Sequence, residues 1–179
     1  PVITDWNDPI QYSCQANFII GVGDTNSWYD ANLPGSTIAD LTAKPAEVVS
    51  DYGSLTDTST NYQDVKTSTN RIGAMEGLGN LGEIEFANCC TKNTYYMAGL
   101  AYDVHTRDMR PDFTGDQTIT TYWLDVLESG YIAKNQYWLT AKYGGFTVPT
   151  GFAPYTGTAT ALTTSQWDSN SDGDPENYY

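Results

Sequence analysis

Ala16-Asn-Phe-Ile-Ile-Gly-Val-Gly23 is the stretch of this chain that decides its fold. The run is apolar, is too short for a helix, and passes directly into polar residues that begin with Asp24. This pattern is typical of a buried central strand in a parallel sheet, because such strands are covered on both faces. Since open α/β sheets bind ligands at the carboxyl ends of their strands, Asp24 lies where a ligand-binding edge is expected.

The segments after residue 90 supply partners for this strand. Residues 117–127 are dense in β-branched and aromatic side chains and therefore predict a second strand. Residues 94–107 predict a helix, which Pro111 prevents from extending further. His105, near the end of that helix, is expected to be a solvated side chain. The stripe expected to face the core has a three-four spacing and consists of Met97, Leu100, Ala101 and Val104.

A further helix and strand are expected towards the C-terminus. Residues 134–143 predict a short helix with Gly144 as its C-cap, and residues 146–148 predict a third strand. Alternating strands and helices are typical of an α/β fold with a parallel sheet and right-handed crossovers. Residues 28–90 are rich in Gly, Ser, Thr and Asp. They are interpreted as a long irregular insertion rather than a second domain, with a short helix around Ile72.

The last twelve residues have the most specific ligand-binding pattern in the chain. Their sequence is Asp168-Ser-Asn-Ser-Asp-Gly-Asp-Pro-Glu-Asn-Tyr-Tyr179. A calcium loop has oxygen side chains at positions one, three and five, glycine at six, a carbonyl ligand at seven and often an acid at nine. This segment matches all of those positions, but its twelfth residue is Tyr179 instead of a bidentate acid. An acidic tail that binds no metal is the alternative. The predicted Ca²⁺ ligands are Asp168, Asn170, Asp172, Asp174 and Glu176.

The composition excludes several classes of protein. The formal net charge is −14, so nucleic-acid phosphates and anionic membrane surfaces would repel the chain. No apolar run approaches the roughly 20 residues that span a bilayer, and membrane insertion is therefore not expected. Charged residues make up only 17%, while Tyr, Thr, Ser, Asn and Gly are abundant, which favours a secreted or cell-surface domain. Pro1 begins no signal peptide, so we expect that one was removed or that the chain was cut from a longer protein.

Three cysteines leave the disulfide pairing open. In an oxidising compartment Cys14 can pair with Cys89 or Cys90, which leaves one thiol over. A bridge between the adjacent Cys89 and Cys90 would instead leave Cys14 unpaired. The remaining alternative is that all three are reduced and buried. A zinc site is not expected, because the chain has one histidine and no CxxC spacing.

Five segments occur in a distinctive order, namely Cys14-Gln-Ala-Asn-Phe-Ile-Ile-Gly-Val-Gly-Asp24, Met97-Ala-Gly-Leu-Ala-Tyr-Asp-Val-His-Thr-Arg-Asp-Met-Arg-Pro-Asp112, Thr118-Ile-Thr-Thr-Tyr122, Ala141-Lys-Tyr-Gly-Gly-Phe146 and Trp167-Asp-Ser-Asn-Ser-Asp-Gly-Asp-Pro-Glu-Asn-Tyr178. Together they resemble the PilC/PilY family of type IV pilus tip-associated adhesins. The resemblance covers most of the chain outside residues 28–90. In that family these segments belong to the later half of a von Willebrand factor A-like domain, which a large β-propeller domain follows.

The resemblance implies a fold and a role for the chain. The expected fold is α/β, a partial three-layer parallel sheet of the von Willebrand factor A type over residues 1–160. The insertion lies at about 28–90, and residues 161–179 form an acidic, calcium-loop-like linker. The expected role is that of a bacterial cell-surface or pilus-associated fragment with calcium-stabilised structure, in type IV pilus biogenesis, adhesion or motility. Its expected partners are the remainder of a larger polypeptide, pilus subunits or a second copy.

The resemblance also implies a second cation position at the end of the first strand. Domains of this type hold a metal-ion-dependent adhesion site above the carboxyl ends of their strands, and Asp24 matches its later Asp. Gly23 and Thr25 replace the Thr and Gly that usually flank that residue. The Asp-x-Ser-x-Ser segment of the site is not found, because Asn26 and Trp28 break its spacing. A divalent cation at Asp24 is therefore expected only as part of an incomplete site, and a turn or capping role is the alternative.

Two other functions are open at this point. One is an independent extracellular calcium-binding module that is structural or self-assembling. The other is a hydrolase built on carboxylates such as Asp30, Asp103 and Asp125, although no pair of them has a spacing that sequence alone can assign. We expect the chain not to be an enzyme.

Overall fold

The computed structural model describes residues 7–24, 30–31, 33, 35–38, 64–88, 91–127 and 133–179. Its strands are β1 (Asn17–Gly23), β2 (Phe86–Asn88), β3 (Thr91–Asn93) and β4 (Ile119–Asp125). Its helices are α1 (Val65–Glu76), α2 (Tyr96–Thr106) and α3 (Gln136–Gly145), with single 3-10 turns at Leu81–Glu83 and Thr164–Gln166. None of these helices is long and apolar enough to cross a membrane.

Strands β1 and β4 form a two-stranded parallel sheet, in which Asn17 pairs with Ile119 and Gly23 pairs with Asp125. Both predicted strands and the parallel arrangement are therefore confirmed. The other edge of β4 is bordered by the C-terminal residues through a parallel bridge between Trp123 and Tyr178. The short strands β2 and β3 form a separate antiparallel hairpin.

The predicted third strand at residues 146–148 is wrong, because these residues lie outside every strand. The backbone N–H of Thr147 donates to the carbonyl of Gln166 at 2.7 Å, so this segment runs beside the 3-10 turn before the acidic loop. The C-terminal residues border the sheet edge that such a strand would have needed. The sequence pattern could not show which of the two segments, residues 146–148 or the C-terminal residues, would pair with β4, because both are short.

One face of β4 packs against the helices, whereas the apolar side chains of β1 are largely exposed. On the packed face, the Trp123 ring lies directly over Gly21, where a Cβ atom would come within 2.2 Å of the ring. On the opposite face Phe18, Ile20 and Val22 are 59%, 74% and 62% exposed. The expectation that β1 is buried on both faces is therefore wrong for the part of the chain that the structure describes.

Helix α1 confirms the short helix predicted near Ile72, and it belongs to the main core. Asp64 caps its start by accepting a hydrogen bond from the Thr67 N–H at 2.9 Å. Its apolar side chains pack with those of α2 and α3, so this part of the expected insertion contributes to the same core as the predicted elements. That core contains Ile72, Met75, Leu81, Ala98, Tyr102, Trp138, Leu139, Tyr143 and Phe146.

Helix α2 confirms the helix predicted over 94–107, but the stripe predicted to face the core is wrong. Met97 is exposed, Leu100 and Val104 are half-buried, and Ala101 is buried. The buried face of the helix is centred on other residues, such as Tyr102.

His105, at the end of α2, is not a solvated side chain. His105 is only 8% exposed, and its two ring nitrogens contact the carbonyl oxygens of Ile119 and Phe146. The helix end packs against β4 and the segment after α3, and this packing buries the ring.

Cys14 is exposed with a free thiol, so the alternative in which all three cysteines are buried is wrong for this residue. Cys89 and Cys90 lie outside the described residues, and their pairing stays a prediction.

Helix α3 confirms the helix predicted over 134–143, with a different end. Asn135 caps its start by accepting hydrogen bonds from the N–H groups of Tyr137 and Trp138. Gly144 is not the C-cap, because the helix continues to Gly145 and its C-cap is Phe146. The glycine is needed for close packing instead. A Cβ atom at Gly144 would lie 2.7 Å from the Thr121 Cβ and 3.0 Å from the Ala101 Cβ.

We expect Gly144→Ala to destabilise the fold by about 1–3 kcal/mol, because the added methyl group would push α3 away from β4 and α2. Urea denaturation of the variant and the unmodified chain measures this change. Ala74→Ser, on the exposed side of α1, is the control and should change stability by less than about 0.5 kcal/mol. Unchanged stability in Gly144→Ala would show that the helices and sheet are packed less closely than described.

Candidate metal centre

The acidic loop begins at a buried carboxylate. Asp168 is only 4% exposed, and its two oxygens accept hydrogen bonds from the N–H groups of Asp172 at 3.1 Å and Gly173 at 3.0 Å. Gly173, the sixth residue, has a φ of 96°, a left-handed conformation that favours glycine. The chain therefore turns sharply at the position where the calcium-loop pattern requires a turn.

The middle of the loop is a succession of Asx turns. The Asn170 side-chain oxygen accepts a hydrogen bond from the Asp172 N–H at 2.9 Å, and the Asp172 carboxylate accepts one from the Asp174 N–H at 2.9 Å. The Asn170 amide also donates to Asp172 at 3.0 Å. Asn and Asp form such turns because their short side chains reach the backbone two residues further on. The alternating spacing thus shapes the loop through hydrogen bonds within it.

The ninth residue, Glu176, folds back onto the start of the loop. One of its carboxylate oxygens accepts hydrogen bonds from the Ser169 N–H at 2.8 Å, from the Asn170 N–H at 3.2 Å and from the Ser169 hydroxyl. The bonds from Ser169 hold the pKa of the Glu176 carboxyl below its ordinary value. Tyr179, at the twelfth position, supplies no carboxylate; its backbone bonds to Trp123 and Asp125, and its hydroxyl donates to the Glu176 carbonyl at 3.1 Å. Glu176 is therefore the acid that closes this loop.

These side chains offer the hard oxygen donors that Ca²⁺ prefers. Asp174, at the seventh position, would supply its backbone carbonyl, and its carboxylate accepts a hydrogen bond from the Trp138 indole N–H at 2.9 Å. In the present arrangement the carboxylates bond to loop N–H groups, and no three His, Cys, Asp or Glu residues of the described ranges are grouped as they would be around a metal ion. Because an ionised carboxylate has about four lone-pair sites, these oxygens can keep their N–H bonds and still face a cation. The donors would be Asp168, Asn170, Asp172, Glu176 and the Asp174 carbonyl.

Asp24 lies at the carboxyl end of the sheet, as its sequence position predicted. It directly follows β1, whose last residue, Gly23, pairs with Asp125 at the end of β4. The Asp125 carboxylate accepts hydrogen bonds from Asn135 at 2.7 Å and from the Tyr178 hydroxyl at 2.5 Å. Neighbouring strand ends thus bring the two acids to one edge, while Asp24 does not join the ring of donors in the acidic loop. A cation at Asp24 stays a prediction.

The acidic loop runs directly into the edge of the sheet. Trp123 donates its N–H to the Asn177 carbonyl at 2.9 Å, and the Tyr179 N–H donates to the Trp123 carbonyl at 2.9 Å. Asp125 donates its N–H to the Tyr179 carbonyl at 2.7 Å. The Asn177 side chain, which is buried, also donates to the Thr121 carbonyl. The residues after Glu176 therefore act as a short extra strand along β4.

A second group of contacts joins the loop to the helices, and the sequence pattern gave no sign of it. The Lys142 ammonium on α3 bonds to Glu76 on α1 at 2.7 Å and lies 4.1 Å from the centre of the Trp167 ring. The Trp138 ring packs edge-on against Trp167, with 5.3 Å between ring centres. Trp167 immediately precedes Asp168. The start of the loop is thus held by a buried cation and two indoles that come from separate parts of the sequence.

The carboxylates considered for hydrolysis have structural partners. Asp103 bonds to Arg107 at 2.5 Å and to the Tyr155 hydroxyl, while Asp30 accepts the Thr94 N–H at 2.9 Å. Burial and the Asp103 charge raise the pKa of the Tyr155 hydroxyl, so this tyrosine stays protonated and donates. Asp125 is engaged as described above. These contacts account for the three acids as parts of the packing between elements.

Comparison with known proteins identifies a relative along almost the whole chain. The chain is 43% identical over 184 aligned residues to a protein of Xylella fastidiosa (strain Temecula1 / ATCC 700964) that is named type IV pilus biogenesis factor PilY1 homolog. The alignment covers 95% of this chain and 14% of that relative. The chain therefore spans about one seventh of the relative's length. No protein-family model and no solved structure matches the chain.

We expect the loop to open in acid at Glu176. Hydrogen bonding to the charged carboxylate lowers its pKa, so the bonds it accepts are complete above pH 4.5 and are lost as the pH falls below that value towards the lowered one. Amide NMR signals of Ser169 and Asn170 should report this transition. Glu176→Gln should abolish it.

Glu83→Gln is the matched control for this experiment, because Glu83 also has a lowered pKa but bonds to Lys66 on α1. It should leave the Ser169 and Asn170 transition unchanged. A transition of equal size in Glu176→Gln and the unmodified chain would contradict the role given to Glu176.

Proposed function

Since this chain belongs to the PilC/PilY family, we propose that it is a segment of a longer bacterial cell-surface protein that acts in type IV pilus biogenesis, adhesion or motility. The observation that carries the proposal is the homology along nearly the full length of the chain to a pilus biogenesis factor. The role is structural and non-enzymatic, and the partners are the rest of the same polypeptide and pilus subunits. The von Willebrand factor A-like architecture is part of the proposal, and the parallel β1–β4 pair with helices on one face supports it.

Within that protein, the acidic loop is proposed to be a structural calcium site. Three features support this role: the alternating donors from Asp168 to Asp172, the turn at Gly173, and the return of Glu176 to the loop start. When bound, Ca²⁺ would neutralise carboxylates that otherwise repel one another. The residues that follow pair with β4, so a rigid loop would fix the sheet edge and the direction in which the polypeptide continues.

Calcium titration of the 179-residue chain by calorimetry and thermal melting tests this site. We expect binding in the range typical of extracellular modules, about 10⁻⁴–10⁻³ M, because the loop lacks a twelfth-position acid. Calcium at a hundred times its dissociation constant should stabilise the fold by about 2.7 kcal/mol, and a chelator should reverse the effect. Asp172→Ala should abolish both binding and stabilisation.

Asp116→Ala is the matched control, since it removes an exposed carboxylate outside the loop and should leave calcium binding intact. If Asp172→Ala still binds calcium as tightly as the unmodified chain, the cation binds elsewhere. If the unmodified chain shows no binding at millimolar calcium, the loop in this chain is an acidic tail and the calcium proposal fails. Neither result would affect the family assignment.

The open face of the sheet is proposed to be covered by another segment of the same polypeptide. Phe18, Ile20 and Val22 share this face with Thr120, Tyr122 and Leu124 of β4, and the three β1 side chains are more than half exposed. Parallel sheets are normally covered on both faces, because the crossover connections between parallel strands place helices there. The matching relative is about seven times longer than this chain, so a covering segment is available.

Ile20→Lys tests this proposal by comparing two contexts. In the isolated chain the side chain is exposed, so the lysine should change stability by less than about 0.5 kcal/mol. In the full-length protein the same lysine would be buried without a partner, and we expect a loss of several kcal/mol or a failure to fold. Thr158→Lys, at an exposed position on another surface, should be tolerated in both.

Two outcomes would contradict the covering segment. Tolerance of Ile20→Lys in the full-length protein would show that the face stays open there. Stable dimers of the isolated chain that Ile20→Lys dissociates, with full tolerance in the longer protein, would favour a second copy as the occupant. Sedimentation of the isolated chain with and without the substitution distinguishes that case.

A further inference from the structure

Residues 159–163, Ala-Thr-Ala-Leu-Thr, form a straight surface segment between the turn at Gly157 and the 3-10 turn at Thr164–Gln166. The backbone is extended where the segment ends, since Thr163 has a φ of −72° and a ψ of 147°. Within the part of the chain that the structure describes, no main-chain N–H or carbonyl group of residues 159–162 makes a hydrogen bond. The segment therefore presents free donors and acceptors, as an edge strand of a sheet does.

Contacts on its inner side hold this segment in place. Ala159 and Leu162 are half-buried and pack against the main core, whereas the residues between and after them are exposed. The Thr163 N–H donates to the Gln166 side chain at 2.7 Å, which fixes the far end. Because the backbone is already ordered, little conformational entropy would be lost when another strand pairs with it.

The segment lacks the features that normally keep a free edge from pairing. Exposed edges are usually protected by charged side chains, prolines or bulges. No charged residue occurs between Lys142 and Asp168, and no proline occurs between Pro154 and Pro175, although the whole chain has a net charge of −14. An unprotected edge of this kind indicates that it is covered in the complete protein.

A cavity beside the segment offers space for a side chain of the covering strand. Its volume is about 450 Å³, and it lies between the segment and residues 149–152. Pro149, Phe152 and Leu162 contribute to its walls, so it favours an apolar side chain. When a strand is added to an edge, main-chain bonds provide affinity and pockets of this kind select alternate side chains.

We propose that residues 159–163 accept an added β-strand from another segment of the same polypeptide. This rests on the proposed function, in which the chain is part of a longer surface protein, and it adds a second contact to the open face of the sheet. The matching relative is about seven times longer than this chain, so such a strand is available. A second copy is a poorer source, because two chains of net charge −14 repel each other. The added strand is uncharged and places an apolar side chain in the cavity at Phe152.

Amide hydrogen exchange of the 179-residue chain and of the full-length protein, followed by mass spectrometry, tests this contact. In the 179-residue chain residues 159–162 should exchange freely, because no hydrogen bond protects their N–H groups. In the full-length protein the N–H groups that bond to the added strand should exchange at least about tenfold more slowly. Free exchange of all these amides in the full-length protein would overturn the proposal.

Proline substitutions separate main-chain pairing from simple burial. Consecutive N–H groups of an extended segment point to opposite sides, so either Thr160→Pro or Ala161→Pro removes a donor to the added strand. One of the two should therefore reduce the protection of the neighbouring amides in the full-length protein. Ala161→Thr, which keeps the N–H, is the matched control and should preserve that protection. Full protection in both proline variants would contradict the pairing. If a proline variant does not fold, the exchange comparison on the unmodified protein decides alone.

Two further outcomes identify a different arrangement. Protection that appears in the 179-residue chain as its concentration rises would assign the strand to a second copy and overturn the proposed source. Free exchange at residues 159–162 in a full-length protein that Ile20→Lys still destabilises would remove the added strand alone. The proposed covering of the open sheet face would then stand, so failure of this inference is distinguishable from failure of the proposed function.

Discussion

The pairing of β4 with two unconnected segments is the constraint on which the rest of the described structure depends. One edge of β4 bonds to β1 and the other bonds to Asn177–Tyr179, while its packed face carries Thr121, Trp123 and Asp125 against the helices. This strand therefore positions the end of the candidate site, while Lys142 and Trp138 on α3 hold its start through Trp167. The acidic loop ends on it, Asp24 lies beside its carboxyl end, and His105 bonds to its first residue, Ile119.

The packed side of β4 explains why small residues recur where the helices approach. Gly21 leaves room for the Trp123 ring, which would clash with a Cβ atom there, and Gly144 lets α3 lie directly against Thr121. The Trp123 ring in turn stacks on Tyr137, with 4.1 Å between ring centres. Aromatic rings thus fill the space that missing Cβ atoms leave, and the same interlocking brings Asn135 to Asp125. Packing of this kind is specified by pairs of positions far apart in the chain, so it cannot be predicted from the sequence of any single segment.

Sequence was sufficient for the elements whose signal is local. The apolar run at β1 and the β-branched run at β4 each predicted a strand, and the loop at Asp168 has its own spacing. The three-four stripe predicted for α2 located the helix but not its buried face, because Met97 is exposed and Leu100 and Val104 are half-buried. Sequence was insufficient where the outcome depends on competition between distant segments. Residues 146–148 have a strand-like composition, yet Asn177–Tyr179 border β4. Gly144 has the sequence position of a helix C-cap, but in the structure it allows α3 to pack closely against β4 and α2. His105 has the pattern of an exposed helix end, and its burial depends on residues fourteen and more positions away.

The loop geometry also bears on how strongly a cation could bind. Each side chain that would hold Ca²⁺ already accepts N–H bonds: Asp168 from two residues, Asp172 from Asp174, and Glu176 from the loop start. Each carboxylate has lone pairs beyond those that its N–H donors use, so an ion can bind while this network is kept. The same hydrogen bonds hold the loop close to its final shape and reduce the entropy lost on binding. Binding with little rearrangement follows, and the lack of an acid at the twelfth position keeps the expected affinity in the range that suits calcium-rich surroundings.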